Sequence, residues 1–503
     1  MTPTRQNCEH PRAHEWRWAG RRPGPGGRTR ASAIFLIGGL LGALMHPDAV
    51  ADDWNTGVGK NSARYSRSAE VGPTDPEVLW QGSRPAIVAQ QGVAAGDLFV
   101  APRIESFTIP TGTWIVAHDL YSGAERWAVQ LPFNAEDEWR SRVSAIRDGH
   151  VYATRAGNTN FAPLYALDAN DGSIIWESQD PIDESTTESP AFADNGDIIA
   201  GNFHSLMRIS KDDGTTVWSM PRSSPTTGGS SAAVFGDRVY IWEASAEGPT
   251  VTAFDIADGT ELYSSEGIGG GFIQQLGLLA GPDGTVYAPR TQNNPITDYF
   301  VALEDTGSAL VEKWRVPLGY VPFASFGVGP DNSVYTYVTS EDGGNHYLTV
   351  LRLDPETGAT LDTSPPLATD FPSQPRIAID GYGKVFLTNG GFSHGTLYAL
   401  DADLTLRWSV SIPNVNVGGP VIGQGGVLVV CGIGTNVVAY RTEPCLGDLD
   451  GDGAVDLSDL AQLLANYGAT TGAGFTEGDL DSDGDVDLAD LAALLSVYGT
   501  TCP

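Results

Sequence analysis

Positive charge is what this 503-residue chain has least of: 29 Lys and Arg stand against 62 Asp and Glu, a formal net charge of −33. After Arg441 there is no Lys, Arg or His at all. Phosphate backbones are held by clustered cations, so nucleic acid is excluded as an expected partner. Cysteine is scarce too, at four residues, with no vicinal pair and no Cys-x-x-Cys-His stretch for haem attachment. His118, His150, His204, His346 and His394 are dispersed, with no H-x-x-x-H pair to suggest a histidine metal site. The apolar run at 31–45 is short of the roughly twenty residues that a spanning helix needs.

That run follows a segment with seven arginines in residues 1–30 and precedes Ala49-Val50-Ala51. A basic region, a short apolar region and a small-residue site predict a secretory signal peptide over 1–51. Arg21-Arg22 is followed by Pro23, which favours the general secretory route. The expected chain is secreted, extracellular or at the cell surface, with the periplasm as the alternative, and without stable membrane insertion once cleaved. Residues 1–51 carry seven basic and three acidic residues, so the remainder is near −37. Cys8 lies in the leader. Cys445 and Cys502 bracket the C-terminal segment, and an oxidising compartment predicts a disulfide between them. Cys431, in an apolar run, is expected to be a small buried residue.

The segment 445–503 contains one acidic loop twice, 31 residues apart. The first runs from Asp448 through Asp450, Asp452, Gly453, Ala454 and Asp456 to Asp459. The second runs from Asp479 through Asp481, Asp483, Gly484, Asp485 and Asp487 to Asp490. Carboxylates at loop positions 1, 3, 5, 9 and 12, with glycine at 6, follow the spacing by which one loop wraps a calcium ion. Position 7, here Ala454 and Asp485, supplies a backbone carbonyl. Two calcium sites are therefore expected. One such loop alone could be an acidic turn, but five crowded carboxylates in each of two copies would repel one another without a cation. No apolar period leads into either loop, so the unit is loop then helix. The helices are predicted over 459–467 and 490–498. Leu460, Leu463, Leu464 and Tyr467, like Leu491, Leu494, Leu495 and Tyr498, share a face and are expected to pack on each other.

This duplicated loop and helix resembles a type I dockerin. The resemblance implies calcium ligation by Asp448, Asp450, Asp452, Asp456 and Asp459, and by Asp479, Asp481, Asp483, Asp487 and Asp490. It also implies a cohesin-like partner and a link to extracellular polysaccharide-degrading assemblies. Positions 10 and 11 hold Leu457-Ser458 and Leu488-Ala489, where cellulosomal dockerins usually carry a Ser/Thr pair for cohesin recognition.

Between 75 and 441 the chain repeats. Leu164-Tyr-Ala-Leu-Asp168 leads through an Asp-Gly turn to Trp176, and Leu397-Tyr-Ala-Leu-Asp401 leads to Trp408. Each unit reads as a strand, a tight turn and a second strand closing on an aromatic, with a further strand pair before it. The closing residues Trp80, Trp127, Trp176, Trp218, Tyr263, Trp314, Leu361 and Trp408 recur every 42 to 51 residues. Four strands at such a period predict a β-propeller blade. Residues 76–81 lack preceding strands and 418–440 lack a closing one, so together they complete a blade and seal the ring. The count is eight blades, with seven as the alternative.

The pattern resembles the PQQ-like, or quinoprotein-type, propeller repeat. The expected fold is thus an all-β eight-bladed β-propeller plus a small α-helical dockerin-like domain with two calcium loops. The domains are a leader at 1–51, a lead-in at 52–74, the propeller at 75–441 and the calcium module at 445–503. Some members of the PQQ-like group bind pyrroloquinoline quinone, whereas others bind proteins and no cofactor. No vicinal cysteine pair and no pocket-forming insertion occur here, so the quinone is not expected. Gly391-Phe-Ser393-His-Gly395 spells a nucleophile elbow but falls between two strands of a blade, which predicts a loop. The expected function is non-catalytic binding of a protein or an extracellular glycan. An exported quinone-dependent sugar or alcohol oxidoreductase is the alternative.

Overall fold

The computed structural model describes residues 65–502 apart from 89, 108–111, 134–137, 158–160, 184–189, 224–230, 269–276, 291–297, 320–325, 370–374, 390–394, 413–417, 433 and 435. The expected leader and residues 52–64 lie outside the described residues, as does Ser393.

Eight antiparallel sheets follow one another along the chain, each built on four strands, the sixth with an added short strand at Leu367–Thr369. Blade 1 spans 93–129, blade 2 140–177, blade 3 191–221, blade 4 233–264, blade 5 279–319, blade 6 327–363 and blade 7 376–412. Blade 8 takes three strands from 420–440 and its outermost strand, Val78–Gln81, from the other end of the chain. Val78 pairs with Tyr440 and Gln81 with Val438. The ring therefore closes as the repeat spacing predicts, and eight is the blade count. First strands lie against one another between blades 1 and 2, through blades 3 to 5, through blades 6 to 8 and between 8 and 1, and so line the axis. Val78–Gln81 covers the edge that the strand Asn436–Tyr440 would otherwise present.

The repeat has a physical reason. Each Asp at a strand end caps the following turn: Asp119 Oδ1 accepts the N–H groups of Tyr121 and Ser122, and Asp354 Oδ1 those of Glu356 and Thr357. The side chain and backbone of Thr357 hold the Asp354 carboxyl below the usual range. Most closing tryptophans then reach into the next blade's turn. Trp127, Trp176, Trp218 and Trp314 donate their indole N–H to the carbonyls of Ala169, Lys211, Ile256 and Pro355. The turn glycine is where the ring lies: a Cβ on Gly172 would sit 2.7 Å from Trp127. Asp, Gly and Trp at fixed offsets are thus a joint between blades.

Three closing residues depart from this pattern, the first being Trp408, whose buried indole N–H has no hydrogen-bond partner among the described residues. Tyr263 bonds Asp305 through its hydroxyl at 2.7 Å. Leu361 replaces the aromatic in blade 6, and the turn of the next blade is one residue shorter, with Leu404 at the positive φ of 64°. His118 is buried in blade 1, stacked on Trp80, with its Nδ1 3.1 Å from the Gly123 carbonyl. Cys431 is fully buried, which pushes its thiol up to about 12.

The C-terminal segment carries two ten-residue helices, α1 (Leu457–Asn466) and α2 (Leu488–Val497). They begin two residues before the sequence placed them, because Asp456 and Asp487 act as N-caps within capping boxes completed by Asp459 and Asp490. The predicted shared face also needs correction. Leu463 and Leu494 are fully buried, but Leu464, Tyr467, Leu495 and Tyr498 are about half exposed. Leu449, Val455, Phe475 and Val486, from the loops and the connection, fill the small core instead.

Candidate metal centre

A disulfide joins Cys445 to Cys502, 57 residues apart, and ties the two ends of the segment. Within it the loops are fixed by their own acids. Asp448, at position 1, accepts the N–H groups of Gly451 and Gly453. Asp459, at position 12, accepts from Leu449 at 2.7 Å and from Asp456 at 2.7 Å. The second loop repeats this with Asp479 accepting from Asp483 and Gly484, and Asp490 from Leu480 and Asp487. Such bonds bend each loop round its acids before any ion is considered.

Oxygens of Asp448, Asp450 and Asp459 lie within 4.8 Å of one another. So do those of Asp479, Asp481 and Asp483, and separately those of Asp485, Asp487 and Asp490. Asp452 and Asp456 stand outside the first convergent group. Asp456 and Asp487 cap their helices through Ser458 and Ala489. Ala454 forms an isolated bridge with Thr501. The Cys445 and Cys502 sulfurs also lie near Asp448, but disulfide sulfurs are not thiolate ligands.

Burial raises the carboxyl of Asp448, and the neighbouring Asp459 and Asp450 raise it further. Burial, then Asp490, pushes Asp479 up to about 7. Asp450 and Asp481 are raised by the same two causes. No cationic side chain follows Arg441 to offset this charge. A donor set made only of hard oxygens, partly buried and mutually repelling, fits a calcium-sized cation. On that fit the residues that would hold one are the convergent acids of each loop.

No motif in the chain foretells how the module meets the propeller. Tyr382, in the turn between the first two strands of blade 7, donates its hydroxyl to the Asp448 carbonyl. Gln424, in the equivalent turn of blade 8, donates to the Ser482 carbonyl at 2.7 Å. Each loop is thus held by one blade. Tyr382 and Gln424 belong to no motif; the one available hint was glycine at positions such as 381 and 451, where a side chain would collide across this contact.

The ring defines an eight-bladed β-propeller. Residues 111–324 match the family described as outer membrane protein assembly factor BamB. Among solved structures, the chain is similar to BamB from Moraxella catarrhalis, at 15% identity and TM-score 0.38, covering 67% of this chain and 95% of that one. Kuenenia stuttgartiensis hydrazine synthase matches at 12% and 0.40, covering 58% and 92%. The Dos1 propeller matches at 13% and 0.49, covering 74% and 97%. At such values the likeness says nothing of activity or partner. No curated protein matches this chain. Among the described residues, no helix is long and apolar enough to cross a membrane.

Proposed function

We propose that this chain is an exported, non-catalytic β-propeller scaffold whose C-terminal segment is a dockerin-like, calcium-dependent docking module. The observation that carries the reading is the pair of loops in identical register, each gathering three carboxylates within 4.8 Å. The non-catalytic part is supported by what the repeat's chemical side chains do: its acids cap turns and its tryptophans join blades. The docking part is supported by α1 and α2, whose outer faces expose Leu457, Leu464 and Tyr467, and Leu488, Leu495 and Tyr498 at matching positions. Two such apolar patches fit a protein partner, cohesin-like in kind, better than a glycan. Residence outside the cell, at a surface or in the periplasm, and a role in polysaccharide-degrading assemblies, follow from the same reading.

Calorimetric titration of calcium into the chelator-stripped full chain tests it. Two binding events are expected, with affinities of roughly 10⁻⁴ to 10⁻³ M if the loops behave as extracellular modules do. Absence of binding at millimolar calcium would leave an acidic tail and overturn the proposal.

A further inference from the structure

The segment just before the ring-closing strand lies between the propeller and the C-terminal module. Its backbone crosses blade 6, where Val328 N–H donates to the Tyr65 carbonyl at 2.8 Å. It then crosses blade 7, where Ser68 and Ile379 exchange bonds across the Ser66 and Ile379 carbonyls. Gly72 is gripped by a buried ion pair: its N–H donates to Asp380 Oδ2 at 3.0 Å and its carbonyl accepts from Lys384 Nζ at 2.8 Å. Six residues further on, Val78 begins the strand that completes blade 8.

The other side of this segment belongs to the module. Thr476 donates its hydroxyl to the Ala69 carbonyl at 2.7 Å and its N–H to the same oxygen at 3.3 Å. Val71, 3% exposed, is a member of the module's own core, with Leu449, Val455, Phe475 and Val486. Space is tight throughout. A Cβ on Gly381 would stand 2.4 Å from the Ala69 carbonyl oxygen and 2.6 Å from Thr476, and one on Gly426 2.2 Å from the Val71 oxygen. Residues 69–71 are therefore packed between the module and the propeller, in contact with both.

We infer that the C-terminal module is a cation-dependent clasp on ring closure, holding residues 65–72 down so that the strand Val78–Gln81 stays in blade 8. The inference rests on the calcium reading for its switch, and on contacts outside the loops for its grip. Loop ordering would act through Tyr382 on the first loop and Gln424 on the second, which connect each loop to a propeller turn. Whatever stabilises the folded module also stabilises what it packs on. A consequence is that the loop side of the module faces the propeller, which leaves the outer faces of α1 and α2 for any partner.

Two readouts separate the clasp from the calcium reading. The module contains no tryptophan and nine of the chain's twelve lie in the propeller, so indole fluorescence in the full chain reports chiefly on the propeller and never on the module. Calcium is expected to raise the fluorescence-detected unfolding midpoint and to slow amide exchange over 65–81 by about tenfold or more. Two-site calcium binding with no change in either readout would overturn the clasp while leaving the loops as calcium sites. The second arm needs no metal. Thr476→Val, isosteric and outside the loops, and Gly381→Val, which crowds Ala69, should each speed exchange over 65–81 relative to blades 2 to 4. Unchanged exchange in Thr476→Val, with Gly381→Val folded and also unchanged, would overturn the clasp whatever the loops bind.

Discussion

Trp80 donates its indole N–H to the carbonyl of Leu120 at 2.7 Å, and this bond joins the last blade to the first. The donor sits on the strand contributed from before blade 1, and the acceptor in blade 1's outer turn. Trp80 is 8% exposed. Trp80→Phe keeps most of the packing but leaves the Leu120 carbonyl without its donor, at an expected cost of about 1–3 kcal/mol. Urea unfolding followed by circular dichroism measures this. A loss comparable to that of an exposed substitution would show that the seam bears little of the ring's stability.

The turn glycine beneath that ring gives a paired prediction. Gly123 and Gly96 both have positive φ, at 70° and 54°. A Cβ on Gly123 would meet the Trp80 ring at 2.5 Å, whereas one on Gly96 meets nothing within 4 Å. Gly96→Ala should therefore carry the backbone cost alone, about 1 kcal/mol. Gly123→Ala should add an overpacking cost of roughly 1–3 kcal/mol. Equal midpoints for the two variants would contradict the joint between blades.

These joints explain how much of the fold could be read in advance. Asp, Gly and Trp recur because the same contact is built between successive blades, and contacts repeated in space leave a period in sequence. The closing role of Val78–Gln81 was legible for the same reason, as a repeat unit missing its other strands. The seating of the module was not. Thr476 on Ala69, Tyr382 on Asp448 and Gln424 on Ser482 each occur once, and three of those bonds end on backbone carbonyls, which any residue supplies. The exposed halves of α1 and α2 were misread because a leucine period shows that a helix is amphipathic, not how many of its leucines find a partner. Val71, far away in sequence, occupies part of the core the two helices were expected to fill alone.

Acid should weaken the ring at one identifiable place. Arg126 bonds Asp119 and Asp97, and its hydrogen bond holds the Asp119 carboxyl down to about 2, well below the usual carboxylate range. A depressed carboxyl contributes stability that is complete above the unfolded value and is lost as pH falls through the folded one. Because these side chains are partly exposed, the contribution is expected to stay under about 1 kcal/mol. Arg126→Gln should lower the midpoint at pH 5, and the gap from the unaltered protein should shrink as pH falls from 4 to 2. A gap independent of pH would assign the loss to packing of the arginine stem.

The disulfide and the first loop are predicted to fail together. The Cys502 sulfur lies 3.3 Å from Asp448 Oδ2, and the Cys502 N–H donates to the Gly453 carbonyl, so the bridge supports loop 1 directly. No such contact links it to Asp479 or Asp490 among the described bonds. In the chain-entropy account, a crosslink spanning 57 residues is worth about 4 kcal/mol to the segment it closes. Replacing both cysteines by serine should therefore loosen the whole module, but calcium binding at loop 1 should suffer more than at loop 2. Calorimetry should show one site weakened well beyond the other, and Asp479→Asn added to the same chain should then remove the stronger remaining event. Equal weakening of both sites would mean that the bridge acts only by shortening the unfolded chain. In that case the contacts at Asp448 and Gly453 would have no part in shaping the loop.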